Sequence, residues 1–140
     1  MARRRVHPVD DERSDSRERA MMLLYEADSK GISASDVLAA QVSETDELTT
    51  MLVEGVETHQ LQLDKAITEH SKGWSLARMP TIDRTVLRIA GFELLGRADV
   101  PVAVVLNEAV ELAKRFSTDD SGRFVNGVLS ALVPVLRPSA

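Results

Sequence analysis

From Val102 to Leu136 the apolar residues recur at helical spacing, and this constrains the fold more than any other feature of the chain. Val102, Val105, Leu106, Ala109, Leu112, Ala113 and Phe116 fall at i, i+3, i+4 and i+7, a stripe along one side of a helix and not a strand alternation. After a short acidic turn, Thr118-Asp119-Asp120-Ser121-Gly122, the stripe resumes with Val125, Val128, Leu129, Leu132 and Leu136. Pro101 suits a first helical turn, where its missing N–H would be unpaired anyway. Glu111 precedes Arg115 by four residues, an order that also suits the helix dipole. Two packed amphipathic helices follow from periodicity alone.

The same spacing organises the rest of the chain. A first helix is expected from Asp15 or Ser16 to Lys30, striped by Ala20, Leu23, Leu24 and Ala27 and closed by Gly31. Ser33 opens a short helix through Val42, and Ser43-x-x-Asp46 opens a long one over Thr45–Ser71. His59 and His70 lie on that helix, about 16 Å apart along its axis, too far to share a metal. Residues 73–80 form a connector in which Trp74 reads as a packing anchor. A largely buried helix follows over 81–97. Its Glu93 needs a partner, Arg97 or a group on a neighbouring helix, and Arg88 reads as half of an ion pair at the core edge. Asp83 and Arg84, at its exposed start, are candidates for contact with a partner. Pro134 frays or ends the last helix.

At 140 residues the chain can bury a core without covalent staples. It has no cysteine, which excludes disulfides, thiolate catalysis and cysteine-ligated zinc. No apolar run approaches a membrane span, no apolar segment follows the N-terminal arginines as in a signal peptide, and a cytoplasmic location is expected. The net charge of −5 argues against nucleic-acid binding over the whole surface and leaves room for a local site. Residues 1–19 hold six arginines against five acids. Residues 1–14 are expected to be a disordered arm, ahead of one helical domain over 15–140. The arm is either a solvated tail or a segment that pairs phosphates through arginine. At the other end Asp120 or Ser121 is expected to cap the last helix. Arg123 beside Phe124 there is either a single-strand RNA platform or a closed core edge. Asn126-Gly127 falls within the helical stripe. Glycine costs about 1 kcal/mol there relative to alanine, which suggests close approach to another backbone, with Asn107 and Asn126 buried and hydrogen-bonded. No glycine-rich phosphate loop, nucleophile–base pair or metal cluster is evident, so an enzyme is not expected and no cofactor is implied.

The segments Asn107-Glu108-Ala109-Val110-Glu111-Leu112-Ala113-Lys114-Arg115-Phe116 and Phe124-Val125-Asn126-Gly127-Val128-Leu129, at this separation, resemble the signature of the NusB family of bacterial transcription antitermination factors. Arg17-Glu18-Arg19-Ala20 through Tyr25 is similar to that family's first helix, and Asp83–Leu94 to a later one. The resemblance implies an all-α fold of about seven helices in two small packed bundles. It implies binding of boxA-type single-stranded RNA in nascent ribosomal RNA, together with the ribosomal protein NusE, within the RNA polymerase elongation complex and its other Nus factors. By position it implies RNA contacts at Arg13, Arg17, Asp120, Arg123 and Phe124, and partner contacts at Tyr25 and Asp83. This chain departs from the pattern in one place: Asp10, Asp11, Glu12 and Asp15 separate Arg3–Arg5 from Arg17. Two alternatives accompany the reading. One is an accessory domain related to those of ribosomal RNA cytosine methyltransferases, the other a self-associating helical module, a homodimer that masks its RNA face.

Overall fold

The computed structural model describes residues 8–139, and side chains from Arg13 onward; Arg3–Arg5 of the expected arm lie outside the described residues. The described chain is all-helical: α1 (Pro8–Lys30), α2 (Ala34–Ala39), α3 (Glu47–Glu69), a 3-10 turn (Leu76–Arg78), α4 (Thr81–Gly96), α5 (Val102–Phe116) and α6 (Asp119–Leu136). Helices α1–α3 pack on one another, as do α4–α6, and α4 joins the two groups by lying against both α1 and α3. The expected stripes are the core. Val105, Ala109, Leu112 and Ala113 of α5 and Val125, Val128, Leu129, Leu132 and Leu136 of α6 are all buried, in one cluster with residues of the other helices.

Several helix ends differ from the sequence expectation. Helix α1 starts at Pro8, well before Asp15, and takes in residues 8–14 of the expected arm. Its first turns carry no apolar stripe to read, while a proline at the first helical position is pre-shaped for a helix start. Helix α3 is capped by Asp46 rather than by Ser43. The Asp46 carboxylate accepts from the Thr49 N–H at 3.1 Å and the Thr49 hydroxyl at 2.6 Å. It also accepts from the Ser16 hydroxyl of α1 at 2.7 Å. Ser33 does cap α2, accepting from the Asp36 N–H, but α2 ends at Ala39 instead of Val42. Pro134 does not end α6. The helix runs on to Leu136, because Leu136 and Arg137 beyond the proline are both buried and anchored.

The interior also holds charge. Arg17 is 2% exposed and donates from Nε and Nη2 to the two Glu93 oxygens at 2.8 and 2.9 Å. Arg97 donates to the same carboxylate at 3.0 Å, so both partners expected for Glu93 are present. Arg137 lies at the end of α6 and donates to the carbonyls of Glu93, Leu94, Arg97 and Val100 at 2.5–2.9 Å. Those around the end of α4 include helix-terminal acceptors with no intrahelical donor. Arg88 forms the expected edge pair, two-pronged to Asp64 at 2.8 and 3.1 Å.

Candidate functional site

The turn between α5 and α6 projects the polar tip. Thr118 is its cap: its hydroxyl accepts from the Ser121 N–H at 3.0 Å, the task expected of Asp120 or Ser121. Asp120 and Arg123 are therefore left on the outside of the first turn, where they pair with each other while about four-fifths exposed. Gly122 faces the other way. A Cβ there would sit 2.6 Å from the Lys114 stem, so glycine is what lets α6 start this close to α5.

Phe124 is half-buried against the core edge and meets Trp74 across a ring-centroid distance of 6.1 Å at 58°. Phe124 therefore takes part in closing the core edge, as one of the two alternatives has it, and the exposed remainder of its ring adjoins Trp74. Trp74 is 52% exposed and is not the packing anchor expected. Its ring lies beside Phe124 of α6, and the 3-10 turn follows it in the connector.

The first helix reaches the tip indirectly. Ser14 donates to Glu108 at 2.7 Å, and Arg115 pairs with Glu18 at 3.1 Å. Helix α1 thus passes α5 in the same direction, with Arg13 at the Glu108 end, about 10 Å of helix axis before Arg115. Arg13 is exposed. Arg17 corrects the expectation of an RNA contact: its guanidinium is enclosed by Glu93 and, at 3.5 Å, Glu108. Burial lowers its pKa, but the hydrogen bonds and charges of Glu93 and Glu108 outweigh that and leave it raised. Arg17 is a bolt between helices with no face toward a ligand.

The NusB family model matches residues 14–134. The chain belongs to the NusB family. A transcription antitermination protein NusB of Saccharopolyspora erythraea is 49% identical over 129 residues, covering 88% of this chain and 87% of the relative. Among solved structures, NusB of T. maritima superposes with a TM-score of 0.78 at 29% identity, over 86% of this chain and 89% of that one. The antitermination factors NusB and NusE in complex with double-stranded RNA give a TM-score of 0.75 at 26% identity, over 88% of this chain and 96% of theirs.

The family segments themselves are placed differently from expectation. Asn107 and Asn126 are exposed, not buried, and nothing lies within 4 Å of where a Gly127 Cβ would be. With Lys114, Asp119 and Arg123 the two asparagines line a shallow groove of about 660 Å³ between α5 and α6. Their helical faces point away from the stripe, so packing does not explain them. Of the residues expected to contact a partner, Tyr25 is 40% exposed beside Met22, three residues earlier on the same face of α1. Asp83 is a correction: it is 3% exposed, and its Oδ1 has no hydrogen-bond partner among the described residues. Arg84 is also engaged, donating to Asp28 at 3.0 Å and to the Leu76 and Met79 carbonyls.

Proposed function

We propose that this chain is a transcription antitermination factor that binds boxA-type RNA through the α5–α6 tip, together with NusE, and so tethers a nascent ribosomal RNA to the elongating polymerase and its other Nus factors. The observation that carries the reading is the start of α6, where an exposed Arg123 stands beside the half-open ring of Phe124. An arginine can pair a phosphate there, and an open ring can stack an unpaired base. Duplex bases are already stacked on one another, so the ring favours a single strand or a splayed end. Arg13 adds a cation from α1. The NusE side falls to Tyr25 and Met22, apolar groups left uncovered on α1. The role is one of binding in the cytoplasm, without catalysis.

Gel-shift titration of boxA-type RNA, with and without NusE, tests the reading. Binding is expected in at least one of the two conditions. Phe124→Ala weakens it with the salt dependence unchanged, while Arg123→Ala lowers the salt slope by about one. Absence of binding in both conditions rejects the proposal.

A further inference from the structure

We propose that Trp74 is a second base-stacking ring of this platform, taking an unpaired base next to the one on Phe124; this rests on the RNA-binding reading above. Trp74 is the only tryptophan of the chain and leaves half of its surface in water. Large aromatic side chains normally contribute their area to a core or an interface. Here the ring meets Phe124 at 6.1 Å, tilted by 58°, so the two rings form one aromatic edge at the start of α6.

The backbone that carries the ring is tied down. Helix α3 gives way to Lys72 at φ +45° and Gly73 at φ +90°, two successive residues in the left-handed region. For lysine that conformation costs about 1–2 kcal/mol. The Trp74 N–H then donates to the Ser71 carbonyl at 3.2 Å, and buried Ser71 is itself tied to the Ile67 carbonyl. The main chain of such a turn has little freedom left to lose when a base stacks on the ring it carries.

The charge around the ring matches RNA. Residues 71–80 carry two exposed cations, Lys72 and Arg78, and no acid, in a chain whose net charge is −5. Exposed Arg123, paired with equally exposed Asp120, precedes Phe124 in the first turns of α6. An aromatic pair with cations on its connector side is the composition of a sequence-tolerant single-strand site.

A lone tryptophan makes the test direct, because the tryptophan emission of the protein is that of Trp74. Single-stranded boxA-type RNA is titrated into the whole chain, alone and with NusE, against a NusE-only baseline, while gel shift follows binding independently. The expected result is quenching that saturates with the gel-shift curve and is absent with NusE alone. Trp74→Ala is expected to weaken RNA binding about tenfold with an unchanged salt slope, and Trp74→Phe to restore most of it. Emission that stays constant while RNA binds overturns the proposal, as does emission that responds to NusE alone and no further to RNA. Wild-type affinity in Trp74→Ala overturns it equally. If gel shift shows no RNA binding under either condition, the functional reading falls together with this one, and that outcome is distinct from bound RNA with a silent tryptophan.

Discussion

Arginine–carboxylate pairs occur in two opposite settings in this molecule. Arg17 and Glu93 meet with side chains 3% and 2% exposed; Arg123 and Asp120 meet with 78% and 83% exposed. The chemistry is the same and the consequences differ. Two charges taken out of water cannot separate without leaving one uncompensated, so the inner pair is committed to joining α1 to α4. The outer pair remains solvated and is worth little, so a phosphate can replace Asp120 on Arg123 at small cost. Exposure, more than residue type, divides scaffold from proposed site.

The sharpest way to break this contrast is at Glu93. Glu93→Gln keeps the shape and removes the charge, leaving buried Arg17 with Glu108 alone. A loss of about 3 kcal/mol is expected in urea denaturation; a loss below 1 kcal/mol would mean that the inner cluster is no more committed than the tip.

Asp46 lies between the extremes, since its carboxylate is solvent-exposed yet fastened to Ser16, the neighbour of Arg17. Asp46→Ala is expected to cost about 1 kcal/mol as a lost helix cap. Burial raises the Asp46 pKa, but hydrogen bonds from Thr49 and Ser16 outweigh that and hold it below its ordinary value of 3.8. A carboxylate with a depressed folded pKa contributes stability above its unfolded pKa and loses it as pH falls through the folded one. The wild type should therefore lose this contribution below about pH 4, and Asp46→Asn, which keeps a capping oxygen, should show a flatter dependence. Identical pH profiles of urea midpoints for the two proteins would remove Asp46 from the account.

The smallest expected effect is at the tip. Arg123→Ala should change stability by less than about 0.5 kcal/mol while still altering the salt dependence of RNA binding. A thermal melt showing a larger loss would make Arg123 part of the scaffold after all.

What the sequence could disclose followed locality. The stripes of α5 and α6 and the Ser33 cap depend on residues a few positions apart, and they were readable. The fate of Arg17 depends on Glu93, 76 residues away, and a guanidinium in a hydrophilic stretch looks the same whether it meets water or a carboxylate. Asn107 and Asn126 failed for a related reason. An asparagine in an amphipathic helix can be buried with partners or turned to water, and only the rotation of the helix about its own stripe decides. Trp74 was misread because size argues for burial, while two left-handed residues before it redirect the chain. The tip was placed well by its acidic composition, although Thr118, two or three positions earlier than expected, does the capping.

Arg137 has a consequence in time. The carbonyls that it gathers belong to residues 37 to 44 positions earlier, at the end of α4 and just beyond it. On a ribosome adding about 5–20 residues per second, those groups are made about 2–9 s before their donor. During that interval the end of α4 has only its local backbone donors and water, the Arg97 N–H on the Glu93 carbonyl among them, and α5 and α6 emerge onto an unfinished support. The C-terminal bundle is thus a structure that synthesis must close from behind.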